Sequence, residues 1–316
     1  MQAAFLTTLG EMTRILMFLV LGFGLNRLHI LPKGAGTGIS RLSTMVFIPA
    51  LLLHNNMTEF HLADVGMYSR LVLTGCLLWT LMAVISGFVA RKMSGGNRLD
   101  RGVYLYGLCF PNTGGVGMPM VLAFLGTAGL FQYNLFCLIF NIMTYAWGIN
   151  LFLETERKNP IKRFFVHMIN PVFLSMMVGI VLGALNATAW VPPLITDFVG
   201  DLGSCYVPVT LLMAGYTIAE YPLAEMFHLP KSYLFTLLRL IIYPLLAILA
   251  VKLLGGDLFV ATLAVMAFAG PSGMNVVVFP ASYGRDCRTG ASIVLLSSIG
   301  SILTVPLLYA LVQYFF

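Results

Sequence analysis

The reading turns on two stretches, Leu108–Met120 (LCFPNTGGVGMPM) and Ala267–Pro280 (AFAGPSGMNVVVFP). Each lies inside a run free of Asp, Glu, Lys and Arg, residues 102–153 and 260–284. About 20 apolar residues cross a bilayer as a helix, so these runs read as membrane spans. Pro111 and Pro271, however, each delete a backbone donor and clash with the preceding turn. Gly114, Gly115, Gly117 and Gly273 weaken the helices further. A break at that depth is tolerated only where protein or a water-filled crevice satisfies the freed groups. Beyond each break the helix restarts with bare N–H groups and roughly half a positive charge, and two such starts can hold an anion without a formal cation. The candidate binding residues are therefore Pro111, Asn112, Thr113 and Gly114 on one segment and Pro271, Ser272, Gly273 and Asn275 on the other. Asn112, Thr113, Ser272 and Asn275 add side-chain donors. Neither segment carries the Asp or Glu that a cation-exchanging site places there. The competing local reading is that Asn and Ser merely cap the backbone around them.

Composition carries the same message across the chain. Of 316 residues, 59% are hydrophobic and 9% charged, against about 25% charged in a soluble domain. Apolar stretches predict spans at 5–28, 39–57, 67–90, 102–124, 129–153, 168–189, 199–219, 231–253, 259–283 and 289–313, an all-α polytopic membrane protein. Fourteen of the 18 Lys and Arg fall in alternate connections, so both termini are expected on the outer face of a cell membrane. The basic excess therefore needs no nucleic-acid partner. The first ten residues lack the basic start of a cleaved signal peptide. The five cysteines show no metal-ligand spacing, and no HExxH, GxSxG or Cys/His cluster suggests an enzyme or a cofactor.

The halves echo each other at an offset of 159–160 residues. Gly24 matches Gly183, Pro49 matches Pro208, Pro111 matches Pro271 and Thr144 matches Thr304. Five spans per half invert the second copy, giving repeats at 1–154 and 168–316 joined by a short cytoplasmic connection at 155–167. In such folds the site lies near the midplane where the repeats meet, with the two helix starts facing each other.

Pro111–Pro119 (PNTGGVGMP), and Gly270–Asn275 (GPSGMN) followed by Tyr283–Asp286 (YGRD), resemble the corresponding segments of the auxin efflux carrier family. So do Pro49, Asn170-Pro171 and Val207-Pro208. The resemblance covers essentially the whole chain. It implies ten helices with helices 4 and 9 broken and crossing, a scaffold of helices 1, 2, 6 and 7, and a moving unit of helices 3–5 and 8–10. It also implies a homodimer paired through the scaffold. Plant members export indole-3-acetate, and microbial ones are associated with small carboxylates such as malonate and malate. The short middle connection places this chain with the microbial branch. Gly115 and Met274 depart from the residues expected beside the crossing, which leaves the pocket's shape and the substrate open.

Arg239 lies eight residues beyond Lys231, about 12 Å deep in its span; it either holds a second carboxylate or pairs with a neighbouring helix. Asn141 and Tyr145 either line the cavity or bridge helices. Glu11 and Arg14 share a helical face, His54 reads as an interfacial hydrogen-bonder, and Gly179 with Gly183 forms a close-packing pair. The expected function is a secondary carrier of a small mono- or dicarboxylate, or an auxin-like acid, working in the lipid bilayer by alternating access. Whether a proton or sodium couples is left open. The rival is an ion-coupled carrier of the bile-acid-symporter or cation-exchanger type, and behind it a membrane-embedded enzyme or sensor.

Overall fold

The computed structural model describes residues 2–32, 35–152, 171–220, 227–282 and 285–316. The connection at 155–163, Asn170, Tyr283 and Gly284, and the side chains of Glu11 and Tyr145, lie outside the described residues.

Every described element is helical. In chain order these are α1 (Gln2–Arg27), α2 (Ala35–Leu42) and α3 (Ile48–Glu59), α4 (Val65–Met93), α5 (Arg98–Cys109), α6 (Met118–Phe136) and α7 (Leu138–Ala146). After the middle connection come α8 (Pro171–Ala184), α9 (Pro193–Ser204), α10 (Tyr206–Ala219), α11 (Pro230–Leu237), α12 (Tyr243–Leu253), α13 (Leu258–Phe268), α14 (Asn275–Ser282) and α15 (Arg288–Phe315). π-helical turns join α2 to α3 (Ser43–Phe47) and α11 to α12 (Leu238–Ile242). A third, Thr113–Gly117, leads into α6. Among the described residues, five helical stretches are long and apolar enough to cross a membrane: Leu62–Met93, Thr113–Phe136, Pro193–Ala219, Pro230–Leu253 and Arg288–Phe315.

The break at Gly126 (φ 67°, ψ −165°) inside α6 falls in the gap between the predicted spans 102–124 and 129–153; that region is open essentially to glycine alone. Two boundaries differ from the sequence reading for identifiable reasons. The helix predicted to start at residue 199 starts six residues earlier, because Pro193 supplies a preset φ in the first turn. The helix predicted to start at residue 102 starts at Arg98, where the Asn97 side chain accepts from Leu99 and Asp100 N–H.

Packing divides the helices by their closest neighbours. α1 lies along α10, and α3 along α8 and α9. At Gly22 and Gly215 a Cβ would overlap the carbonyl oxygens of Leu212 and Leu19, so glycine is what lets those backbones touch. Gly179 and Gly183 do the same against α3, as their spacing predicts. In the other group α4 packs on α5, α6 and α7, α12 on α13, and α15 on α11 and α13, while α15 also lies along α1 and so joins the two groups. The α13 residues Ala261 to Phe268 are buried on every face. Large apolar side chains such as Leu73, Phe88, Leu194 and Leu253 point outward, the pattern of a lipid-facing surface.

Polar ties cross between the groups: the Tyr68 hydroxyl of α4 donates to Glu59 O of α3 (3.4 Å). The Asn55 carboxamide of α3 donates to Thr127 O (3.0 Å) and accepts from Phe131 N (3.0 Å). It ties α3 to the backbone just beyond the Gly126 turn.

Candidate functional site

The two proline breaks meet. Helix α5 stops at Phe110, whose backbone (φ −120°, ψ 89°) is drawn out of the helical region by the proline that follows; α13 stops before Pro271. The two segments then pair antiparallel through Pro111 and Ser272. Asn112 N–H donates to Pro271 O (2.8 Å), and Gly273 N–H donates to Phe110 O (3.1 Å). Gly273 faces the Phe110 carbonyl so closely that a Cβ there would sit 3.1 Å from it.

The carbonyls exposed where α5 and α13 end must also be satisfied. Arg239, fully buried, extends Nε to Gly270 O (3.2 Å) and Nη1 to Leu108 O (3.1 Å). One guanidinium thus caps both helix ends, each carrying about half a negative charge. Its remaining nitrogen, Nη2, has no hydrogen-bond partner. Of the two readings open from the sequence, pairing with neighbouring backbone is the one its contacts display. The Tyr133 hydroxyl buttresses the same place, 3.4 Å from Thr113 O and 3.5 Å from Met266 O.

The restarting ends are less fully used. Asn112 is the N-cap of the first restart, its Oδ1 accepting from Gly115 N–H (2.9 Å). The capping alternative is therefore real for this residue, and it leaves Nδ2 available. Val116 and Gly117 N–H donate to Asn112 O. The N–H groups of Gly114, Met274 and Asn275 find no acceptor among the described residues. All three residues line one cavity of about 410 Å³.

That cavity brings together Pro111, Asn112, Thr113, Gly114, Gly273 and Asn275 from the sequence-derived set, with Asn141 on a facing wall. Pro271 lies behind the wall against a smaller void, and Ser272 is fully buried with its N–H donating to Ser297 Oγ (3.1 Å). Arg239 sits beneath the breaks, outside the lining. Among the described residues the lining contains no Lys, Arg, His, Asp or Glu.

Sequence reasoning passed over Ser43, Thr210, Tyr206 and Asn134. Ser43 and Thr210 share a hydroxyl–hydroxyl bond of 2.9 Å across α10 and the π-helical turn that precedes α3. Tyr206 places its hydroxyl 2.9 Å from where a Gly114 Cβ would stand, so Gly114 is needed for approach as well as for breaking the helix. Asn134 lines the same cavity as Asn141, seven residues further along the chain.

No curated protein matches the chain. Residues 7–309 match the family described as membrane transport protein. This chain, with its apolar helices and paired proline breaks, belongs to that family, the auxin efflux carriers, and is a multi-pass membrane transport protein.

Proposed function

We propose that the protein is a secondary carrier for a small organic anion, whose carboxylate sits between the restarts at Asn112 and Asn275. The observation that carries this reading is the set of three amide N–H groups without an acceptor among the described residues, at Gly114, Met274 and Asn275, all on residues that line one cavity with no charged residue among its described lining. Two restarts contribute roughly one positive charge in total, and a carboxylate accepts from several backbone N–H groups at once. A lining without Asp or Glu argues against a cation-exchanging site.

In this reading the helical segments form ten crossings, as a 5+5 inverted repeat with helices 4 and 9 crossing at Pro111 and Pro271. The close pairs α1 with α10 and α3 with α8 form the scaffold, and helices 3–5 and 8–10 move against it as an elevator. Both termini face outward, and two copies pair through the scaffold. Alternating access around a midplane site follows from such an arrangement.

The test is binding of malonate, and separately of a monocarboxylate, to the purified full chain. Asn275→Ala removes a side chain with no partner among the described residues, so binding should fall while folded yield holds. Asn112→Asp keeps the cap acceptor but adds a negative charge. At about 5 Å and an effective dielectric near 20, that repels an anion by about 3 kcal/mol, roughly a hundredfold in affinity. Unchanged binding in both variants would remove the site assignment.

A further inference from the structure

The restarts account for one end of the cavity. Asn134, on the stretch of α6 beyond Gly126, is 1% exposed and among the lining residues, and neither its Oδ1 nor its Nδ2 has a hydrogen-bond partner. Its neighbour Tyr133 spends its hydroxyl on the Thr113 and Met266 carbonyls. A buried carboxamide left unpaired at both atoms is destabilising. A structure keeps one cheaply where something else completes it.

The completing group is constrained. Oδ1 needs a donor and Nδ2 an acceptor, side by side in one plane. A carboxamide or a protonated carboxyl offers both; an ionised carboxylate offers acceptors only and would face the Oδ1 lone pairs. Charge balance points the same way. The two restarts supply about one positive charge, and among the described residues no cation lines the cavity to meet a second negative group.

We propose that Asn134 is a specificity-determining residue that recognises the far end of the substrate, and that the carrier takes a monoanion: a carboxylate at one end and a neutral carboxamide or protonated carboxyl at the other. The inference rests on reading the paired restarts as the anion site. The shared chemistry has two sources, the monoamide of a dicarboxylic acid and a dicarboxylic acid carrying one proton.

Three probes separate these sources on the purified full chain: succinamate, succinate and butyrate. Two added hydrogen bonds predict succinamate binding about thirtyfold tighter than butyrate, independent of pH. Succinate should bind poorly near about pH 8 and gain up to tenfold in affinity per unit on the way to about pH 5, as its second carboxyl takes a proton. Among the described residues the lining holds no His, Asp, Glu, Lys, Arg or Cys; the proton counted is the ligand's own. In Asn134→Leu the succinamate-to-butyrate ratio should fall to about one. If that variant does not fold, Asn134→Asp serves, and should prefer 4-aminobutyrate, whose ammonium end pairs with the new carboxylate, over succinamate. Wild-type protein that binds dianionic succinate as tightly as succinamate, or variants that keep the wild-type preference, would overturn the role of Asn134 with the anion site intact. Failure of all three carboxylates to bind would overturn both.

Discussion

Arg239→Leu tests the centre of the fold. The guanidinium is fully buried and makes two charge-assisted bonds, to Leu108 O and Gly270 O. Replacing it leaves two buried carbonyls without donors, each costing about 1–3 kcal/mol, and a partly filled hole. Against this, the leucine removes a buried charge whose desolvation is itself unfavourable, and a well-packed apolar replacement of a buried ion can be neutral. The orphaned carbonyls should win, because they belong to two helix ends that converge and cannot turn to other partners without undoing the break. The net loss is about 3 kcal/mol. Arg239→Lys keeps the charge but replaces a fork by a single point, and should lose about half as much. Cys109 and Cys137 are buried free thiols, so a thiol-reactive dye reports unfolding in detergent directly. Leucine should lower the midpoint most and lysine by less. Equal midpoints for all three proteins would mean that the guanidinium does not hold the breaks together.

Three further substitutions probe how the site is positioned. Gly126→Ala forces a side chain into a backbone region that costs about 1–3 kcal/mol; thermal unfolding should show the loss, and an unchanged midpoint would show that the turn relaxes. Gly22→Ala places a methyl group on the Leu212 carbonyl and should separate α1 from α10, costing about 2 kcal/mol; a cysteine pair across that interface would crosslink less efficiently, and undiminished crosslinking would refute the close approach. Asn55→Leu strips the partner from Thr127 O and Phe131 N, about 2–4 kcal/mol for two buried groups. Hydrogen exchange at Phe131 should then accelerate, and protection equal to wild type would show that the backbone closes the gap alone.

The membrane character, the two breaks and their restarting ends were legible because they depend on local chemistry: a charge-free run, a missing proline N–H, a glycine where a helix should continue. That Asn112 both caps and faces the cavity was half legible, since a cap is local and a cavity is not. Arg239 could be placed in depth but not assigned, because its partners, Leu108 and Gly270, lie 131 and 31 residues away along the chain. Asn134 looked like one more polar residue in an apolar helix until both its atoms proved unpartnered. Ser272 shows the converse: its place beside Pro271 suggested a substrate donor, whereas its burial and its bond to Ser297 put it in the wall.

Four helix ends converge at the breaks, and their charges explain why the two halves need not be chemically equal. The two stopping ends carry about one negative charge between them and the two restarting ends about one positive charge. Under the proposed repeat, the position 160 residues before Arg239 is Trp79. Its ring packs 5.8 Å from that of Phe110, the residue that bends into Pro111. Both positions therefore support the break, one by apolar contact and one by charge. A second arginine at residue 79 would leave an uncompensated cation, because a single guanidinium already reaches both stopping ends. With the negative ends capped inside the protein, the positive ends are the large unbalanced charge among the described residues of the cavity wall, and under the proposed function an anionic solute balances them. Trp79→Arg should accordingly destabilise the protein through an unpaired buried charge. Should it instead fold normally and bind carboxylates more tightly, the charge balance argued for the crossing is wrong.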